Sequence, residues 1–262
     1  MNRIKKYLNN NGNRKLLIPF FTAGFPNLKQ SLDLVGIATN AGADLVEIGM
    51  PFSDPLADGP AIQYSSYQAL KNGMTLRKIL AAVETIRKKS EVPLILMGYY
   101  NPVLTYGETK FMKDAKSAGV DGLIIPDLPI DEAKTFKHAA DKCELSTVFM
   151  VAPTSSSERI KRIDKLCTDF VYAVTVTGVT GTVSKFDKTT DSYLKSLRNI
   201  LNKKFVVGFG VSSPQSARQL AKNCDGVVIG SKLISIIRNS KNNMQTTKAV
   251  ERLLAQIRKA LG

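Results

Sequence analysis

The sequence predicts an α/β protein whose parallel strands close into a single eightfold (β/α) barrel. Short, almost wholly apolar runs recur eight times, at 16–21, 45–48, 94–97, 122–125, 147–151, 170–176, 205–209 and 227–229. Stretches of helical period separate them, as at 75–89, 131–142, 157–166 and 214–221. The third observation is length: 262 residues suit one barrel of about 250 residues. Strands this apolar are parallel strands covered on both faces. A doubly wound sheet is the competing arrangement, and the number of units and the length favour the barrel.

Taken in order, the first run, Leu16 to Phe21, follows a short basic segment. The second is preceded by Ala41-Gly42-Ala43-Asp44, the fourth by Ala118-Gly119-Val120-Asp121 and the last by Lys222-Asn223-Cys224-Asp225. In each, Gly or Asn is expected to end a helix in a left-handed turn, and an Asp precedes the apolar run. Cys167-Thr168-Asp169 is a weaker copy before the sixth run. No Pro/Gly/Ser-rich linker divides the chain, so residues 1–262 read as one domain.

Composition narrows the function. The net charge of +15 and the pI near 9.7 raise the question of nucleic acid. The basic residues are scattered along helical stretches, without aromatic interleaving, and Lys outnumbers Arg 26 to 11. Base recognition favours Arg, so a solvated Lys-rich surface is the expectation, with no nucleic-acid partner. Cys143, Cys167 and Cys224 form no CxxC pair, and His138 is the single histidine, so no disulfide scaffold or metal site is expected. No apolar run approaches the length of a membrane span, and residues 1–7 lack the apolar core of a secretory signal. The expected location is the cytoplasm, or the plastid stroma if the gene is organellar, since richness in Lys and Asn fits an AT-rich genome.

Function in such a barrel gathers at the C-terminal ends of the strands. Two signals stand there. In Leu45-Val46-Glu47-Ile48-Gly49 an acid interrupts an apolar strand, and period two puts Glu47 on the interior face if Val46 and Ile48 pack outward. A carboxyl without a basic partner there is pushed toward the pKa range of acid–base catalysis. The loop that follows, Met50 to Pro60, is long and restricted by Pro and Gly. Asp54 and Asp58 are each ordinary turn formers; nearness to Glu47 would make Asp58 the second member of an acid–base pair. Three later segments, Thr177 to Thr182, Gly208 to Ser212 and Gly230-Ser231, present glycines ahead of helices, a pattern that suits an anion. Tyr99 to Pro102 and Ile125 to Pro129 read equally as pocket wall and as turn.

Val46-Glu47-Ile48-Gly49-Met50-Pro51-Phe52-Ser53-Asp54-Pro55-Leu56-Ala57-Asp58-Gly59-Pro60 resembles the signature of the tryptophan synthase alpha subunit family. The likeness continues through Pro19 to Gly24, Met97 to Pro102, Pro126 to Pro129, Gly178 to Gly181 and Gly208 to Ser212, and so spans essentially the whole chain. It implies a (β/α) barrel that cleaves indole-3-glycerol phosphate to indole and glyceraldehyde 3-phosphate. By motif position Glu47 matches the general acid–base and Asp58 the acid that bonds the indole N–H. Gly181, Gly210, Gly230 and Ser231 match the phosphate positions; Phe20, Ile62, Tyr99, Tyr172 and Phe209 match or adjoin the indole wall. Thr180 matches a loop residue that orients Asp58. The resemblance implies no metal or cofactor in this subunit, and as partner a beta subunit carrying pyridoxal phosphate in an α2β2 complex. The chain departs from the family where Arg commonly follows the glycine loop: here stand Thr182-Val183-Ser184, with Lys185 close by. The rival readings are a related phosphate-binding barrel, which would call for metal-binding His or a strand-borne Lys, and a catalytically weak barrel that mainly activates its beta partner.

Overall fold

The computed structural model describes residues 2–175, 188–208 and 210–262. Their order is α1 (Arg3–Asn10), β1 (Leu16–Thr22), α2 (Leu28–Asn40), β2 (Val46–Gly49), α3 (Pro60–Lys71), α4 (Leu76–Arg87), β3 (Leu94–Met97), α5 (Tyr100–Tyr106), α6 (Glu108–Ala118), β4 (Gly122–Ile124) and α7 (Lys134–Lys142). There follow β5 (Ser146–Val148), β6 (Met150–Val151), α8 (Ser157–Leu166), β7 (Phe170–Val174), α9 (Lys188–Ile200), β8 (Lys204–Gly208), α10 (Pro214–Ala221), β9 (Gly226–Ile229), α11 (Ser231–Asn239) and α12 (Asn243–Leu261).

The strands form one parallel sheet in the order β5-β4-β3-β2-β1-β9-β8-β7-β6. Its two ends, β5 and β6, are consecutive in the chain and separated by Phe149 alone, so the sheet rolls into a nearly closed barrel. The strand count is nine among the described residues, not the expected eight, because the run 147–151 is two strands. At Phe149 the ladder is interrupted: its N–H donates to Cys167 Sγ at 3.1 Å, and its carbonyl accepts from Tyr172 N at 3.1 Å. β5 thus pairs with β4, and β6 pairs with β7.

Two apolar clusters follow the alternation of the strands. Leu16, Ile18, Leu45, Ile95, Ile124, Phe170, Val206 and Val228 face inward, and Ile4 of α1 joins them as a plug at the start of the strands. Leu17, Val46, Ile48, Leu94, Leu96, Val171 and Val207 face outward against the helices. Glu47 lies between Val46 and Ile48, and so shares the inward face with Leu45.

The repeated Asp before a strand has a common structural cause. Asp44, Asp121 and Asp225 each accept the N–H of a residue in the neighbouring strand, Leu17 at 2.6 Å, Leu94 at 2.9 Å and Phe205 at 2.9 Å. Their own N–H groups return bonds to the carbonyls of the same three residues. Each carboxylate also meets an arginine: Arg258 for Asp44, Arg87 for Asp121, Arg198 for Asp225. Gly42 and Gly119 end their helices at positive φ as expected; Asn223 does not, and α10 stops without a left-handed residue. Replacing Asp121 by Ala would strand the buried Arg87 guanidinium and the Leu94 N–H. Such a loss costs about 3 kcal/mol, to be read as a lower urea midpoint at unchanged slope.

Candidate active site

β2 carries Glu47 into the barrel between Phe20 of β1 and Ile95 of β3. The side chain is fully buried, and both carboxyl oxygens lack a hydrogen-bond partner. Burial with no compensating charge pushes the carboxyl up from 4.5 to about 8. A buried, uncompensated acid is costly to a fold, and structural carboxyls such as Asp44 and Asp121 are paired. Glu47 is the exception.

The loop after β2 brings Asp58 back over the same pocket. Its N–H donates to the Pro55 carbonyl at 3.0 Å, and Gly59-Pro60 then begins α3, with Pro at the first helical position. The Tyr99 hydroxyl accepts the Ala57 N–H at 3.0 Å and donates to the Asp58 carboxyl. The Phe52 ring stacks on Tyr99, with centroids 5.2 Å apart. Gln63 of α3 donates to the Asp58 carbonyl at 2.9 Å. Burial raises Asp58 from 3.8 to about 6, against the lowering bond from Tyr99.

The pocket is lined by Phe20, Glu47, Asp58, Ile62, Tyr172, Gly210, Gly230 and Ser231, eight of the residues singled out in the sequence. Tyr172 is buried in its wall, with its hydroxyl ionisation driven up by burial and by the charges of Glu47 and Asp58. Its ring fits because residue 208 is Gly; a Cβ there would stand 1.9 Å from the hydroxyl oxygen. Gly210 holds φ +95°, and Gly230 precedes α11 without a side-chain cap, leaving the first N–H groups of that helix facing the pocket. The pocket therefore brings the uncapped start of α11 together with a pair of carboxyls in different environments. Among the described residues no group of three or more His, Cys, Asp or Glu is placed to hold a metal. His138 is exposed.

The model of the family described as "Tryptophan synthase alpha chain" matches residues 7–261. The chain is 48% identical to the tryptophan synthase alpha chain of Geotalea daltonii over 221 residues, 84% of each chain. It is 42% identical to that of a Thermoanaerobacter species over the full length of both. The crystal structure of tryptophan synthase subunit alpha from Legionella pneumophila superposes with a TM-score of 0.91 at 33% identity, covering 100% of this chain and 98% of that one. A structure of the tryptophan synthase α2β2 complex from Pyrococcus furiosus matches with a TM-score of 0.86 at 39% identity, over 93% and 98% of the two chains.

The chain belongs to the tryptophan synthase alpha chain family.

Of the positions the family resemblance implied, Tyr99 stands just outside the pocket lining and bonds Asp58. Gly181, Thr180 and Phe209, with the departure at Thr182-Val183-Ser184, lie outside the described residues. The sequence reading did not name Met97, Val211 and Val228 as site residues, although they also line the pocket. Met97 ends β3 and Val228 is the penultimate residue of β9, both inward by alternation, a signal that was present; Val211 is placed by the turn after β8.

Proposed function

We propose that the chain cleaves indole-3-glycerol phosphate to indole and glyceraldehyde 3-phosphate in this pocket, with Glu47 and Asp58 as its catalytic carboxyls. The observation that carries the assignment of roles is Glu47, a fully buried carboxyl with no partner, opposite a second carboxyl of lower pKa. Near neutral pH Glu47 holds its proton and Asp58 is largely ionised. Glu47 delivers the proton to indole C3 as the ring nitrogen supplies electrons, and the Asp58 carboxylate bonds the N–H of the resulting cation. Glu47, now ionised, accepts the proton of the hydroxyl on the carbon attached to C3. That carbon becomes the aldehyde, the carbon–carbon bond breaks, and its electron pair returns to the ring as indole. The acid regains its proton, so the cycle consumes none and needs no cofactor in this chain.

The N-terminus of α11, with Gly230, Ser231 and Gly210, fits the substrate phosphate, and Phe20, Ile62, Tyr172 and Met97 fit the indole. The partner is a beta subunit, in an assembly of the α2β2 kind described for the Pyrococcus furiosus protein. We further assign the chain to one domain and to the cytoplasm, a reducing compartment that suits its free cysteines.

The test is indole release from indole-3-glycerol phosphate, with and without a beta subunit. No release in either case, together with stimulation of the beta subunit, would replace the lyase with an activating barrel. A second expected outcome concerns the phosphate. Gly210→Leu, strained at positive φ and bulky in the cradle, should raise the calorimetric Kd for glycerol 3-phosphate and the KM for substrate by the same factor, at least ~10-fold. An unchanged Kd for glycerol 3-phosphate would place the anion elsewhere.

A further inference from the structure

A second groove lies outside the barrel, between the start of α2, the middle of α3 and the turn from α11 into α12. No acid lines it. Asn27 and Asn242 line it as the residues that begin α2 and α12, helices of 13 and 19 residues, so both N-termini meet there. Each Asn caps one N–H of its helix, that of Gln30 at 2.9 Å and of Gln245 at 2.9 Å, leaving the remaining first-turn N–H groups available.

Two cations stand on the same groove, Arg238 and Lys241, neither with a carboxylate partner among the described residues. The Arg238 guanidinium lies 4.0 Å from the centre of the Tyr64 ring, which holds it in place. Independent of these is Gln30. It is 6% exposed and lines the groove, yet its side-chain amide makes no hydrogen bond to any described residue. Its polar atoms are not among those sealed from solvent, so the groove is the side on which a partner can reach them.

We propose that this groove is a second anion site, which takes a compact oxyanion, the phosphate group or carboxylate of a small metabolite. The anion bonds the Gln30 amide N–H₂, meets Arg238 and Lys241, and faces the positive ends of two helices. The site is separate from the catalytic pocket: α3 and α11 present their first residues to the pocket, and later ones, Tyr64 and Gln68, Ile237 and Arg238, to the groove.

The experiment is a ¹⁵N–¹H NMR titration of the full chain with inorganic phosphate and, separately, with citrate at matched ionic strength. Saturable shifts are expected in the Gln30 side-chain amide and in the N–H groups of Asn243 and Met244. They are distinguishable from shifts at Gly230 and Ser231, which report the catalytic pocket. The stronger of the two probes assigns the natural ligand to phosphates or to carboxylates. Arg238→Gln with Lys241→Gln should weaken this binding at least ~10-fold and leave indole release at the wild-type rate. Gln30→Leu, a change of similar volume, should weaken it also without lowering the melting temperature. Absence of saturable shifts at the Gln30 and α12 amides, or the same affinity in the double variant and in Gln30→Leu, overturns the proposal.

Discussion

Glu47→Gln is expected to lower turnover by ~10²- to 10⁴-fold while leaving KM and glycerol 3-phosphate affinity close to wild type. An amide cannot give a proton to carbon or take one from a hydroxyl, whereas it nearly reproduces the shape of the carboxyl. The same variant tests the environment of Glu47 without reference to activity. In the unfolded chain the carboxyl ionises near 4.5, in the folded chain near 8. Between these values the folded protein binds more protons than the unfolded one, so wild-type stability falls as pH rises through that window. Gln has no proton to lose and removes this fall. Urea unfolding at intervals from pH 5 to 8 should therefore show the variant gaining on wild type as pH increases. Parallel curves would mean that Glu47 ionises as an ordinary carboxyl, and the acid–base role would lose its basis.

Asp58→Asn should cost a further class of rate, ~10²- to 10³-fold in turnover, through lost charge and not lost geometry. The Asn oxygen still accepts from the Tyr99 hydroxyl, and the Ala57 and Gln63 bonds that shape the loop are untouched. What disappears is the negative charge opposite the cationic ring. The pH profile separates the two residues. Wild-type kcat/KM should fall below about 6, where Asp58 takes a proton, and above about 8, where Glu47 loses its own. Because both face one pocket, the limbs belong to the pair. Asp58→Asn should abolish the acid limb and keep the alkaline one. An acid limb that survives in Asp58→Asn would assign it to another group, and near wild-type turnover would remove Asp58 from the chemistry.

Much of this site was legible before the fold. Strand alternation alone placed Glu47 inward, because a period of two leaves a residue between Val46 and Ile48 no other face once both pack outward. Glycines before helix starts marked the segments proposed for the anion, since the loss of Cβ and the free N–H groups are local properties of the chain. The Asp before several strands could be seen as a repeat, although its meaning could not. Asp54 and Asp58 were alike as turn formers; the family resemblance singled out Asp58, and the bond from Tyr99 and the shared pocket set it apart physically.

The one element misjudged, the run 147–151, shows where local pattern ends. Nothing in Thr147-Val148-Phe149-Met150-Val151 interrupts its apolar character, and the break at Phe149 follows from Cys167, 18 residues away, taking its N–H. The arginines of the strand-initial Asp residues lie as far as 214 residues off, for Arg258 and Asp44, and no periodicity could have matched them. The groove with Gln30 gathers four helices and was invisible for the same reason. Backbone preference and burial alternation act over a few residues, so composition and period sufficed for the barrel and the inward acid. Which partners meet depends on sheet register and on how helices distant in the chain pack, and there the tertiary structure decided.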